Sequence, residues 1–434
     1  MINHPLRGAA LVLFLNFVVV TTSADDSPAG VRAETLKSVR GHLRAAVDEK
    51  KIAGGSHLVW LHGHLVYLES AGYRDIDQRG RFAEDTLLRI YSMSKPITSV
   101  AAMTLYEQGK FRLEDPVSRF IPAFRKTTVL TEDGKIVPAN REITVLDVFR
   151  HTTGFSYGGG RVQKYYEAEG MRYRDPAAMF PPDMPISQAA DALARIPALH
   201  HPGEQFTYGF NTDLLGRLIE VWSGETLDNY LRKSVLQPLK MRDTFFQVPR
   251  SETTRFASCH TREDGRLAIL DKSTRSPYLK GFKFLSGGGG LVSTIGDYSR
   301  FCQMLINDGR LDGIQVLKPA TLKMMFSDQL NGVAGDFRFG LGFRIQRVKL
   351  GTGDAAAEFS QYSWGGYAST DFRVIPEQKA FQIVMRQHIP SAHGLAKYLM
   401  DEVAKGITPA KNVASVSKAL RVHRQLLNTS HDIE

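Results

Sequence analysis

From Ile97 to Gln108 the chain reads ITSVAAMTLYEQ, uncharged up to Glu107 and apolar on nearly every side of a helical wheel. A helix that is hydrophobic all round belongs in an interior, so the rest of the chain must wrap it. Its ends are marked in the sequence. Pro96 fits a first helical turn, where the amides lack intrahelical partners anyway, and Gly109 supplies a stop. Directly before it, LLRIYSMSKP sets Ser92 three residues ahead of Lys95. Residues three apart share a helix face, and a helix N-terminus favours developing negative charge. The reading is therefore a buried helix whose first turn opens a serine and a lysine onto a cleft.

A second Ser-x-x-Lys, Ser415 with Lys418, occurs in VASVSKALRVHRQLL. Two occurrences are what chance gives for such common residues. Context separates them: the later pair sits in a polar tail with no apolar run after it and nothing downstream to complete a site. Ser92 is the candidate nucleophile.

At 434 residues and 43% hydrophobic content the chain can bury a full core, as one large or two intimate domains. Arg7, the apolar run AALVLFLNFVVV from Ala9 to Val20, and the small residues ending at Ala24 have the pattern of a secretory signal peptide. Twelve apolar residues interrupted by Asn16 are short for a membrane anchor. The expectation is removal of residues 1–24 and export, periplasmic or secreted, with no stable membrane span left. The formal charge of +10 then loses only Arg7, falling by one to +9. With no zinc-finger spacing, phosphate-cradling loop or basic helix beside it, that excess reads as solvated surface, and no nucleic-acid partner is expected. Cys259 and Cys302 lie far apart, the second inside a helical pattern, and read as two separate reduced, buried thiols. The histidines at 57, 62 and 64 and the pair His200-His201 fit no zinc spacing, so neither metal nor cofactor is expected.

Along the chain, residues 31–50 form an amphipathic helix, and SHLVWL and LVYLES flank HGH as a β-hairpin. Helical patterns dominate from residue 96, with resumptions at Ser187 and through TDLLGRLIEVW. Residues 156–184 mix glycine, proline and tyrosine without periodicity, a long loop expected to wall the cleft. From Phe339 strands return in FGLGFRIQRV, FSQYSWGG, STDFRVIP and FQIVMRQHI, and a last helix follows from Gly394 to Ala404. This order predicts an α+β fold: one sheet assembled from both ends of the chain, with terminal helices, and a mainly helical lobe inserted in the middle. The expected boundaries are 25–404 for the domain, with an α/β lobe at about 30–95 and 285–404, a helical lobe at about 96–284, and a basic tail at 405–434.

RIYSMSKPITSVAAMTLYEQGKFRLEDPVSRFIPAF resembles the first signature of the class C β-lactamase and penicillin-binding-protein-like serine hydrolases. VLDVFRHTTGF, HPGEQFTYGFNTDLLGRLIEVWSGETL, QPLKMRDTFF, GGGGLVSTIGDYSRFCQML and SWGGYASTDFRVIP resemble that family's later segments, in its order, over roughly residues 35 to 400. The resemblance implies an antiparallel sheet flanked by helices beside a helical lobe, with the active site between them. It implies Ser92 as nucleophile and Lys95 and Tyr208 as proton acceptor and shuttle, the backbone amides of Ser92 and Tyr367 as oxyanion hole, and Trp364, Gly365, Gly366, Phe210 and Asn211 against the substrate. His151 and the glycines 287 to 290 match family positions and read as structural.

Two departures bear on substrate. Where β-lactamases have Tyr-x-Asn, Phe210 occupies the third place and Asn211 follows, where it also reads as a cap for the next helix. Where they have Lys-Thr-Gly, this chain has Trp364-Gly365-Gly366, similar to the esterase branch often called family VIII carboxylesterases. Tryptophan offers apolar surface and one N–H but no charge for a substrate carboxylate. The expectation is a carboxylic-ester hydrolase. A β-lactamase, a D-alanyl-peptidase, an acyltransferase and a low-turnover binding protein of the same fold remain as alternatives.

Overall fold

The computed structural model describes residues 30–171, 184–391 and 393–410. Residues 1–24, expected to be a signal peptide, Ser415 with Lys418, and part of the 156–184 loop lie outside them. Seven strands make one antiparallel sheet: β1 Gly54–Leu61, β2 His64–Gly72, β3 Arg338–Phe339, β4 Arg344–Leu350, β5 Ala357–Gly366, β6 Thr370–Ile375 and β7 Ala380–Arg386. Their order is β3-β4-β5-β6-β7-β1-β2, so the amino-terminal hairpin completes a sheet begun by the carboxy-terminal strands, with Leu58 opposite Ile383.

The main helices are α1 Ala33–Asp48, α2 Ser94–Glu107, α3 Ile186–Arg195, α4 Asn211–Ser223, α5 Ile295–Ile306 and α6 His393–Gly406. α1 and α6 cover one face of the sheet, where Val39, Leu43, Leu399, Met400 and Val403 pack with Val59 and Val384. The Arg32 amide ties the two ends together by donating to the Gly406 carbonyl at 3.1 Å. On the other face Ile97, Val100, Tyr298 and Phe301 of α2 and α5 pack against Phe372, Ile383 and Met385. Every residue of β7 is buried because alternate side chains enter the two cores. The same sandwiching explains α2, in which Ser94 through Leu105 are all buried; α4 closes over its far side, with α3 packed on α4. Gly109 ends it at φ +71°, a conformation open to glycine.

The middle of the chain is less purely helical than its pattern suggests. Thr128–Leu130 pairs with Ile136–Pro138, and Cys259–Glu263 pairs with Arg266–Asp271. The second hairpin turns on Asp264-Gly265, both at positive φ as a two-residue turn demands. Asn211 does not cap α4. It is the first helical residue, after Phe210, and its side chain is used elsewhere. Cys259 and Cys302 are buried and unpaired. No helix among the described residues is long and apolar enough to cross a membrane.

Candidate active site

Ser92 sits on a strained turn. Tyr91, buried and not a glycine, is held at φ +41°, and the single turn Tyr91–Met93 feeds α2. Such a conformation persists only where its surroundings over-determine it. Here the Ile90 amide donates to Leu291 O at 3.0 Å, the Leu291 amide to Ser94 Oγ at 3.2 Å, and the Tyr298 hydroxyl to Met93 O at 3.0 Å. The segment after Gly290 and helix α5 therefore clamp the backbone around Ser92 from behind.

The Lys95 side chain is 1% exposed and folds back along its own helix. Its Nζ lies 3.3 Å from Ser92 Oγ, 2.9 Å from the Tyr157 hydroxyl and 2.6 Å from the Gly288 carbonyl oxygen. It also sits 4.6 Å from the Tyr208 ring centroid, over the electron-rich face. An ammonium has three N–H donors, and three acceptors surround it. In the amine form the Gly288 carbonyl can only accept, whereas either hydroxyl can donate to the nitrogen lone pair. Both protonation states are thus accommodated without rearrangement. The Tyr208 hydroxyl accepts from Trp364 Nε1 at 3.2 Å, which fixes the phenol's orientation. Trp364 lies between Tyr208 and the buried Phe339, at centroid separations of 5.4 and 5.2 Å.

Tyr157, which falls inside the 156–184 loop, joins this cluster although nothing in its sequence context marks it. It is brought in by close backbone packing: a side chain at Gly209 would strike Phe155 O and Ser156. The Tyr157 and Tyr208 rings consequently meet edge to face at 5.5 Å. Asn211 and Phe210, expected against the substrate, stand one layer behind it instead. Asn211, fully buried, accepts from Thr153 Oγ1 at 2.5 Å and donates to Thr207 O at 3.1 Å and Phe155 O at 3.3 Å, tying together the two loops that carry the tyrosines. Phe210, 1% exposed, packs under the Tyr157 ring at 5.1 Å.

Gly366 brings the end of β5 against the nucleophile turn, since a Cβ there would collide with Ile90 O and Thr370 Oγ1. The approach is to the protein's own chain, not to substrate space. Just beyond it Tyr367 is 40% exposed, and its ring meets Tyr91 edge to face at 6.1 Å. Its amide donates no backbone hydrogen bond among the described residues. His151 is held at φ +60° and packs on Phe206, Tyr208 and Phe339 rather than hydrogen-bonding through Nδ1. Burial, with the nearby Lys95 cation, pushes its pKa well below the ordinary histidine value, so it is a neutral wedge under Tyr208.

The Beta-lactamase family model matches residues 39–405, the greater part of the chain. The chain belongs to the β-lactamase family. Protein Rv1367c of Mycobacterium tuberculosis is 31% identical over 82% of this chain and 90% of its own length. Esterase EstB of Burkholderia gladioli is 30% identical over 49% of this chain and 51% of its own. The solved structure of EstCE1, a hydrolase with promiscuous acyltransferase activity, superposes with a TM-score of 0.70 at 24% identity, covering 86% of this chain and 99% of that one. The β-lactamase/transpeptidase-like fold and a serine-hydrolase class of activity follow from the family. Within it, the buried Ser–Lys–Tyr cluster has parts that acyl transfer requires: a hydroxyl, an adjoining amine with phenols, and the Tyr367 amide beside a strained turn.

Proposed function

We propose that this protein is an exported serine hydrolase that cleaves carboxylic esters through an acyl-enzyme on Ser92. Ser92 Oγ gives its proton to Lys95 Nζ in the amine form, with Tyr208 and Tyr157 able to relay it, and attacks the ester carbonyl carbon. The tetrahedral oxyanion takes hydrogen bonds from the Ser92 and Tyr367 amides. Collapse breaks the bond to the alcohol oxygen, which leaves with the relayed proton. Water then repeats the sequence on the acyl-enzyme, releasing the acid and restoring the serine. The choice of ester over β-lactam or peptide is carried by one observation. Trp364 stands where the lysine-bearing members of the family hold a substrate carboxylate; it is uncharged, and its single N–H is already donated to Tyr208.

Acyl transfer to an alcohol or amine is the second reading, favoured by the fold's likeness to EstCE1. The test is a panel of short-chain p-nitrophenyl esters, nitrocefin and a D-Ala-D-Ala peptide, with and without an acyl acceptor. Ester turnover should dominate and be lost by at least about a thousand-fold in Ser92→Ala. Ester hydrolysis by Ser92→Ala at the wild-type rate would sink the assignment. Export rests on residues 1–24 and is checked by amino-terminal sequencing of the protein recovered from periplasm or medium.

A further inference from the structure

The Gly287–Gly290 turn does more than enter α5. Asp213, in the first turn of α4, is only 5% exposed. Its Oδ1 accepts from the Gly288 amide at 3.1 Å and from the Ser286 hydroxyl. The carbonyl of that same glycine accepts from Lys95 Nζ at 2.6 Å. The turn is fixed from the α2 side as well, where Thr98 Oγ1 donates to Gly287 O at 2.8 Å. Side chains are excluded here: a Cβ on Gly288 would stand 2.6 Å from Asp213 Oδ2, and one on Gly287 2.8 Å from Thr212 O.

We propose that Asp213 is a positioning residue for the reaction, holding Lys95 through Gly288 and supplying the buried counter-charge to its ammonium form. The inference rests on the reading of Lys95 as the proton acceptor. The groups facing Lys95 are the hydroxyls of Ser92 and Tyr157, the face of Tyr208, the neutral His151 and the Gly288 carbonyl. These satisfy its N–H groups but cancel no charge, and a buried cation without a counter-charge is costly. A carboxylate touching Nζ would solve that by trapping the lysine as a cation turned away from Ser92. Set back by one glycine, Asp213 steadies the cation and leaves the amine form reachable. Burial pushes the Asp213 carboxyl above the usual range, while the Lys95 charge and the bonds from Ser286 and Gly288 oppose that rise.

The experiment is the pH profile of kcat/KM for a p-nitrophenyl ester, and of Ser92 labelling by a fluorophosphonate, in wild type and Asp213→Asn. The amide keeps an acceptor for Gly288 and Ser286 and removes only the charge. The ammonium form is then less favoured while the Gly288 turn is kept, so the acid limb of both profiles should move to lower pH by roughly one unit. An acid limb that stays put, or moves to higher pH, overturns the proposal whatever the rate. If Asp213→Asn does not fold, Ser286→Ala serves. Losing that donor makes the carboxylate harder to ionise, so the limb should move the same way by less, and an unmoved limb again overturns it. Wild-type protein that fails to label at Ser92 would refute the parent reading instead, so the two failures are distinct.

Discussion

Two side chains in the site have roles that only their contacts reveal. The indole N–H of Trp364 donates to the Tyr208 hydroxyl, so in the proposed mechanism Trp364 steadies the relaying phenol as well as presenting no cation to the substrate. Trp364→Phe keeps the aromatic body and loses the donor. Ester kcat/KM should fall about 5- to 15-fold, the worth of one hydrogen bond of about 1–1.5 kcal/mol, and the loss should appear in kcat with KM nearly unchanged. A fall confined to KM would show that the ring only binds substrate. Tyr157→Phe should lower kcat by roughly a hundred-fold, the scale of a proton-transfer partner, while fluorophosphonate still titrates every site slowly. Ser92 and Lys95 could be chosen from sequence because an apolar helix with a proline in its first turn followed one Ser-x-x-Lys and not the other. Tyr157 could not. It lies six residues after His151 in a stretch without periodicity, with Tyr165, Tyr166 and Tyr173 close by, and what singles it out is a backbone crossing at Gly209. Phe210 and Asn211 are buried behind the tyrosines, which sequence order could not indicate because it does not say which side of a loop faces a cleft.

The short helix Val145–Phe149 just before His151 is organised around one carboxylate. Asp147, with no exposed surface, completes a capping box with Thr144 and takes hydrogen bonds from Arg141, Arg150 and Thr152. Burial pushes its pKa up, but those contacts outweigh it and hold the carboxyl down to about 2. Asp147→Ala leaves Arg150, largely buried, facing an empty site, and should destabilise the fold by about 3–5 kcal/mol, read as a lower urea midpoint. Ester activity per labelled Ser92 should change less than the midpoint suggests, since Asp147 touches no reacting group. Elements with a buried face were legible in the sequence for the same reason they are stable: β7 and α2 are apolar because cores meet them on both sides. The Cys259–Asp271 hairpin was overlooked because most of its residues are partly or fully exposed, leaving no alternation to read. Its Asp264-Gly265 turn was the available signal.

Across the whole molecule, the balance of buried histidines and buried acids sets how stability responds to pH. His57, wholly buried in β1 with Nε2 3.2 Å from Gln382 Oε1, is depressed to about 4, chiefly by desolvation. His260, in the hairpin against the end of β7, is likewise held at about 4 by burial. His151 and His388 are shifted in the same direction. Between about pH 6.5 and pH 4 the unfolded chain binds protons at these sites that the folded protein refuses. Stability must therefore fall as pH falls through that window, by up to about 3 kcal/mol for each of His57 and His260. Asp297 acts oppositely. Burial raises its pKa to about 6, so from pH 6 down to 3.8 the folded protein binds the proton first and regains a comparable amount. Asp147 stays ionised until nearly pH 2 and does not contribute in this window. With more histidines lowered than acids raised, the net slope is loss of stability on acidification, beginning near pH 6.5 and not near the carboxylate range. Thermal melts from pH 8 to pH 4 should show that decline, and proton uptake on unfolding at pH 5 should be positive. His57→Gln, which retains a polar partner for Gln382 but cannot titrate, should reduce that uptake by close to one proton; an unchanged uptake would mean that His57 is not the buried neutral group its surroundings make it.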